Sequence, residues 1–253
     1  EPVIPNYFIF NSNFKAEGKI MAKYAVETLG KQKLGVFYQN DDFGKDFLLG
    51  AEEYAKEKGI ELAAVSSYNT TDIDFSSAAL KMKEAGVDAI IFGTVVKPAA
   101  QFALELAKLD VKAQILASSV TGGDVETMHQ LAGDAWEGAL SPNFGGMPSD
   151  DTPEMREFRD LMKKAYPNDS EYSGTALRGF MIAEIMAEAL KRAGDNLTWE
   201  NLIKTFETFD NWSGVYAKNV TYTPDDHRGV TMVHFLQNQG GKNVRITDDI
   251  PLY

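Results

Sequence analysis

Between Leu34 and Ser141 the sequence repeats one pattern: a short apolar run, a polar loop, then apolar residues at helical spacing. The apolar runs recur about every 25 residues, a spacing typical of strands that alternate with helices. Parallel neighbours of this kind need right-handed crossover helices, so the pattern predicts a doubly wound, Rossmann-like parallel α/β sheet with helices on both faces. The predicted strands cover residues 34–38, 62–65, 89–92, 115–117 and 138–141.

The pattern stops after Pro142. Helices are predicted over 153–165 and 172–193, with a third capped by Thr198, and short strands over 220–222, 230–236 and 244–247. The sequence Gln239-Gly240-Gly241 predicts a hairpin between the last two strands.

The helix over 172–193 is apolar around much of its circumference and must bury most of its surface. The first sheet is already covered by its own helices, so this helix needs another sheet. We therefore expect the chain to be part of a longer protein. Upstream residues would complete a second sheet beside a strand at 7–10, and the chain would self-associate if it occurs alone.

Composition excludes several classes of protein. The chain has 37 acidic and 25 basic residues, a net charge of −12 and a pI near 4.8, which disfavours nucleic acid and anionic membranes as partners. It contains no cysteine, so disulfides, thiolate catalysis and cysteine zinc sites are excluded. No apolar run approaches the roughly 20 residues that span a bilayer.

No catalytic or cofactor-binding motif stands out. The sequence lacks Gly-x-Ser-x-Gly, a phosphate-binding loop and Gly-x-Gly-x-x-Gly, and its three histidines have no metal-ligand spacing. Asp41 and Asp42 precede a helix, where acids cap the first turn and oppose its dipole, so capping is a better interpretation than metal binding. We predict no enzymatic activity, no cofactor and no metal.

Three loops follow the carboxyl ends of predicted strands, at 39–44, 93–97 and 118–122. Ligands of open α/β sheets bind at this edge. The loops are rich in hydroxyls, small residues and backbone donors, which suits binding a small polar molecule better than transforming one. The alternative is that they are ordinary connections without a ligand.

Four segments in order, KLGVFYQNDDFGKDFLLGAEEYAKEKGIEL, TTDIDFSSAALKMKEAGVDAIIFGT, LAGDAWEGAL and FDNWSGVYAKNVTYTPDDHRG, resemble the type I periplasmic solute-binding proteins of ABC transporters. The similarity is to the branched-chain amino-acid (Leu/Ile/Val-binding) family and covers nearly the whole chain. It implies two Rossmann-like lobes that close on a ligand. One lobe, 12–142 with 223–253, would be complete. The other, 1–11 with 143–222, would be partial, with crossings near 11–14, 142–146 and 223–228.

The resemblance also implies positions for ligand contacts, with Phe43 as an aromatic wall. The implied ligand-binding residues are Asn11, Ser12, Phe43, Thr94, Val96, Lys97, Ser118, Ser119 and Tyr172. The chain departs from the family pattern at three of these places. Ser118 and Ser119 stand where amino-acid binders often carry a Glu for an amino group, Val95 and Val96 stand where Tyr is common, and Asn11-Ser12 replaces Arg-Thr.

The implied function is non-covalent capture of an amino acid or similar small polar carboxylate, outside the cytoplasmic membrane, for delivery to an ABC permease in that membrane. The protein would lie in the periplasm or at the cell surface as a lipoprotein. Two alternatives remain open: a ligand-sensing regulatory domain of the same fold, and a flavodoxin-like enzyme, which the missing phosphate loop disfavours.

Overall fold

The computed structural model of the protein describes residues 3–168 and 174–253, except for the side chain of Thr175. Its contacts divide the chain into two compact units. Unit 1 comprises Glu1–Ser12 and Phe144–Val233, and unit 2 comprises Asn13–Asn143 and His234–Tyr253. The chain therefore passes from one unit to the other after Ser12, after Asn143 and after Val233. The third of these crossings lies beyond the region 223–228.

Unit 2 holds the strand–helix repeat. Its helices are α1 (Phe14–Lys23), continued by a π-helical turn (Tyr24–Thr28), α2 (Asp42–Lys58), α3 (Ser76–Ala85), α4 (Val96–Lys108), α5 (Ser119–Gly122) and α6 (Val125–Ala132), followed by a 3₁₀ turn (Gly133–Trp136). Its strands are β1 (Leu34–Gln39), β2 (Ala64–Tyr68), β3 (Ala89–Gly93), β4 (Gln114–Ala117) and β5 (Leu140–Asn143). The strand β6 (Met232–Gln239) enters from unit 1, and β7 (Lys242–Arg245) and β8 (Ile250–Pro251) follow it.

The sheet has the order β2-β1-β3-β4-β5-β6-β7, with β8 paired to β6. The first five strands are parallel, and β6 and β7 run antiparallel. β1 and β3 are buried along almost their whole length, as expected of central parallel strands covered on both faces. On one face the core contains stacked aromatic rings, among them Phe37 on Phe102 with ring centroids 3.7 Å apart.

Local sequence signals set most helix ends. Asp41 caps α2 through Gly44 N, and Thr198 caps the helix that follows it through Asn201 N. Gly59 and Gly86 end α2 and α3 in the left-handed conformation that glycine adopts most readily. At the start of α3, Phe75 occupies the cap position, and Asp74 accepts a hydrogen bond from Ser76 N.

Several predicted boundaries are wrong by a few residues. β2 lies at Ala64–Tyr68 and β5 at Leu140–Asn143, each shifted toward the carboxyl end of the prediction. α4 begins at Val96, two residues before Pro98, because proline is tolerated within a first helical turn. The predicted hairpin forms, and the pairing of Gln239 with Lys242 across its two-glycine turn places β7 earlier than expected.

Unit 1 packs three helices, α7 (Pro153–Ala165), α8 (Gly174–Ala193) and α9 (Trp199–Phe206), around an apolar core. The predicted strands at 7–10 and 220–222 appear only as isolated bridges, Ile9 with Arg228 and Val220 with Trp212 and Val230. Neither segment forms a strand of a sheet within the described residues. The residues just after position 222 also belong to unit 1, where Gly229 O accepts a hydrogen bond from the Thr221 amide.

One face of α8 is apolar and exposed, through Ile182, Met186 and Leu190 at successive turns. Beside it lies an apolar cavity of about 230 Å³ in unit 1. Its lining includes Phe8, Phe10, Ile182, Met186, Trp199 and Tyr222. The helix was expected to need burial, and this is the face that remains uncovered in the described residues.

Candidate functional site

The carboxyl ends of β1, β3 and β4 carry the three strand-end loops, 39–44, 93–97 and 118–122, all within unit 2. The three strands share one parallel orientation, with β3 paired to both β1 and β4. Their loops therefore emerge at the same edge of the sheet, where α/β proteins bind ligands. The apolar cavity of unit 1 lacks the convergent polar groups that orient a small polar ligand.

The first loop turns sharply from β1 into α2, and Gly44 makes this turn possible. A Cβ atom at position 44 would lie 2.0 Å from the Gln39 carbonyl oxygen. Asp41 Oδ1 accepts a hydrogen bond of 3.0 Å from Gly44 N, so the acid caps the helix at the same point. The capping interpretation of Asp41 is confirmed.

Phe43, the predicted aromatic wall, lies in the first turn of α2 and is half-buried. Its ring packs edge-to-face against Phe14 and Phe47, with centroids 4.9 and 5.4 Å apart. Edge-to-face packing of this kind is favourable for aromatic rings. Phe43 is therefore held by unit 2 itself, and part of its surface stays accessible.

Tyr68, at the end of β2, joins the first two loops and was not predicted from the sequence. Its hydroxyl donates to Gln39 Oε1 at 3.0 Å and accepts from Val95 N at 3.4 Å. Burial raises the pKa of Tyr68 to about 12, with a smaller contribution in the same direction from the charge of Asp41. The phenol therefore keeps its proton at neutral pH and can serve as donor and acceptor together.

The second loop begins with Thr94, which is fully buried. Its carbonyl accepts hydrogen bonds from Ser118 Oγ at 3.1 Å and Thr121 Oγ1 at 2.5 Å. Its own hydroxyl oxygen is buried and finds no hydrogen-bond partner among the described residues. Thr94 therefore organises the third loop through its backbone.

Val96 and Lys97 open α4, whose N-cap residue Val95 supplies no side-chain hydrogen bond. Val96 is half-buried and Lys97 is exposed. Lys97 is the only basic residue in the three strand-end loops. A cation in the first turn opposes the helix dipole, so its position is not explained by stabilisation of α4.

Ser118 and Ser119 are both buried, and their hydroxyls bond to protein groups. Ser118 Oγ accepts from Thr121 N and caps the short helix α5. Ser119 donates its hydroxyl proton to Glu17 Oε1 at 2.7 Å, and its amide donates to Glu17 Oε2 at 3.0 Å. Glu17 was not predicted, because a glutamate on an amphipathic helix is normally solvated. Its only signal is its place between Ala16 and Gly18, on the buried side of α1.

Three predicted site residues are not part of the three strand-end loops. Asn11 and Ser12 belong to unit 1. Asn11 is half-buried and its Oδ1 atom finds no hydrogen-bond partner in the described part of the chain, while Ser12 is buried. Tyr172 lies outside the described residues. The structure thus brings Phe43, Thr94, Val96, Lys97, Ser118 and Ser119 to one sheet edge, and their role as ligand contacts stays a prediction.

Within residues 3–168 and 174–253, no three His, Asp or Glu side chains form a group that could hold a metal ion. In the same residues, no helix combines the length and apolar character needed to cross a membrane.

A family model described as "Periplasmic binding protein" matches residues 1–242. The chain belongs to the periplasmic binding protein family. The resemblance found in the sequence is confirmed.

Curated relatives of the chain include Leu/Ile/Val-binding protein homologs from Brucella. Homolog 7 of Brucella suis biovar 1 (strain 1330) is 24% identical over 181 residues, which are 69% of this chain and 45% of the relative. Homolog 8 of Brucella abortus (strain 2308) is 22% identical over 256 aligned residues, covering 94% of this chain and 62% of the relative. The chain thus spans less than two thirds of the length of these relatives.

Solved structures share the fold. A branched-chain amino acid ABC transporter protein from Thermus thermophilus with bound valine has a TM-score of 0.85 at 22% identity, over 96% of this chain and 67% of that one. A fatty acid ABC transporter substrate-binding protein from Thermomonospora curvata also gives 0.85 at 22% identity, over 99% and 66%. The predicted α/β fold of the type I periplasmic binding proteins is confirmed.

Proposed function

We propose that the protein is the extracytoplasmic solute-binding component of an ABC importer. It captures an amino acid or a similar small polar carboxylate without making or breaking a covalent bond. It then delivers this solute to an ABC permease in the membrane. The observation that carries the proposal is membership of the periplasmic binding protein family over residues 1–242, together with loops of binding character at one sheet edge.

The strand-end loops support binding rather than chemistry. Ser118, Ser119 and Thr121 could each be read as a nucleophile, but their hydroxyls bond to Thr94 O, to one another or to Glu17. None of these contacts pairs a hydroxyl with a histidine or lysine base, as nucleophilic catalysis requires. The loops offer backbone groups, a partly accessible ring at Phe43 and one ammonium group.

Lys97 supports a carboxylate as the solute. It is exposed, it lies in the first turn of α4, and it forms no salt bridge within the described residues. Its ammonium group and the uncapped amides of this turn are both suited to an anionic group. The two solved neighbours are named for valine and for fatty acid, and both of those ligands carry a carboxylate.

A thermal-shift screen on the full-length protein tests the proposal. The panel contains branched-chain and other amino acids, short carboxylates, fatty acids and neutral sugars. A ligand at 100 times its Kd stabilises the folded state by about 2.7 kcal/mol, which raises the Tm of a protein this size by several degrees. We expect such a shift with at least one carboxylate.

Lys97→Met then tests the carboxylate contact by calorimetry. We expect the Kd of the solute to rise about tenfold or more, since a hydrogen bond to a charged group contributes about 1.5–3 kcal/mol. Lys56→Met, at an exposed lysine in the last turn of α2, is the matched control and should leave the Kd unchanged. A shift with neutral sugars alone would contradict the carboxylate, and no shift with any compound would contradict solute capture.

A further inference from the structure

We propose that the first turn of α1 positions two of the strand-end loops together, and that Glu17 is the positioning residue for the third loop. Glu17 acts through Ser119 and does not itself contact the solute. This inference rests on the proposed function, because it assigns Glu17 a role in solute affinity.

Glu17 is a fully buried acid, and both of its carboxylate oxygens accept hydrogen bonds from Ser119. Oε2 accepts the Ser119 amide at 3.0 Å and Oε1 accepts the Ser119 hydroxyl at 2.7 Å. Burying a carboxylate is costly unless its oxygens are satisfied by donors. Two donors from Ser119 contribute to this satisfaction, and their bonds to Glu17 hold both the backbone and the side chain of Ser119.

The Ser119 amide is the first amide of α5, so Glu17 holds the start of the third loop. The neighbouring Ser118 accepts a hydrogen bond from Thr121 N through its side chain. The hydroxyls of Ser118 and Thr121 both donate to the Thr94 carbonyl. Glu17 therefore holds Ser119, and the adjacent Ser118, together with Thr121, is bonded to Thr94 directly after β3. Displacing Ser119 would displace the backbone at the sheet edge where the solute is proposed to bind.

The same helical turn also supports the first loop. Phe14 packs against Phe43 and against Phe47, with centroids 4.9 and 5.4 Å apart. Glu17 lies three positions after Phe14, so the two side chains are neighbours on one turn of the helix. The aromatic wall and the Ser119 backbone are thus held by a single element.

That element has little freedom to move. Asn13 caps α1 through Ala16 N. Gly18 lies so close to α2 that a Cβ atom there would come within 2.3 Å of the Phe47 carbonyl oxygen. α1 is therefore packed closely against α2 directly after its first turn, which makes it a rigid support for both loops.

The test compares Glu17→Gln with the unaltered protein by calorimetry, using the solute that the thermal-shift screen identifies. Glutamine keeps the size of Glu17 but turns one acceptor into a donor that faces the Ser119 donors. We expect the Kd to rise about tenfold at a temperature where the variant is fully folded. Glu52→Gln, at an exposed glutamate of α2, is the matched control and should leave the Kd unchanged.

Ser119→Ala and the double variant separate positioning from general stability. If Glu17 acts through Ser119, the double variant loses less affinity than the sum of the two single variants. Additive losses would overturn the inference. Should Glu17→Gln fail to fold, Ser119→Ala decides alone, because it removes the hydroxyl bond to Glu17 and keeps the acid; an unchanged Kd then overturns the inference.

The two proposals fail differently. If the unaltered protein binds no solute of the panel, both are overturned. If it binds a solute and Glu17→Gln binds that solute equally well, only the role of Glu17 is overturned and solute capture stands.

Discussion

At the residue scale, the turn between β1 and α2 requires glycine at position 44, because there is no space for a side chain. Gly44 lies against the backbone of Gln39, with no space for a Cβ atom, because α2 begins only three residues after β1 ends. The tightness of this turn decides where Phe43 lies and lets Asp41 reach the amide of residue 44. Backbone atoms cannot move aside as a flexible side chain can.

We therefore expect Gly44→Ala to lower the free energy of unfolding by about 3 kcal/mol, the upper end of typical overpacking costs. Gly179→Ala is the control, because a Cβ atom there would contact nothing within 4 Å. In the middle of α8, that change should raise stability by about 1 kcal/mol. Urea unfolding followed by circular dichroism measures both. Equal stability of Gly44→Ala and the unaltered protein would contradict the close contact.

At the element scale, α1 and α2 are joined by ion pairs as well as by close packing. Lys15 and Lys19 on α1 contact Glu53 on α2 at 2.6 and 2.7 Å, and Lys19 also reaches Glu57 at 2.7 Å. Hydrogen bonds from Lys15 and Lys19 lower the pKa of Glu53 to about 2 from the usual 4.5. Because these side chains are about one-third to one-half exposed, solvent screening keeps each pair within about 1 kcal/mol.

The stabilisation by Glu53 should depend on pH in one direction. Its folded-state pKa is depressed, so the contribution is fully present above about pH 4.5 and is lost as the pH falls from there toward about 2. We expect Glu53→Gln to be less stable than the unaltered protein at pH 7, by up to about 2 kcal/mol for two pairs. The difference should shrink steadily in urea unfolding below pH 4.5.

Glu52→Gln on the same helix is the control for this pH series. Glu52 is exposed and forms no ion pair within the described residues, so its replacement should change stability little at any pH. A stability difference for Glu53→Gln that grows on acidification would contradict the ion pairs.

At the scale of the whole molecule, net charge and the apolar face of α8 have opposite effects on self-association. A charge of −12 keeps copies of the chain apart at neutral pH. Ile182, Met186 and Leu190 present an apolar surface with exposed fractions of 52%, 42% and 42%. This face is where the self-association expected from the sequence would occur.

Self-association of the 253-residue chain should therefore increase as the pH approaches the pI of about 4.8. We expect light scattering to rise between pH 7 and pH 5, and Met186→Glu to reduce that rise. Leu80→Glu, at a leucine of α3 that is 46% exposed, adds the same charge in unit 2 and serves as the control. Equal effects of the two substitutions would show that charge alone, rather than the α8 face, controls association.

The sequence predicted the order of strands and helices in unit 2 and the caps at Asp41 and Thr198, because these depend on neighbouring residues. The segments 7–10 and 220–222 were predicted as strands but form only isolated bridges. Strand propensity is a weak guide there, since pairing depends on partners elsewhere in the fold.

The sequence by itself determined which loops share the edge of the sheet, because parallel strands separated by helices must place their carboxyl ends together. Only the tertiary structure decided how those loops are held. Tyr68 reaches Gln39 across 29 residues, and Glu17 binds Ser119 across 102 residues. Hydrogen bonds between residues so far apart leave no local pattern, since they form only after the sheet has brought the partners together.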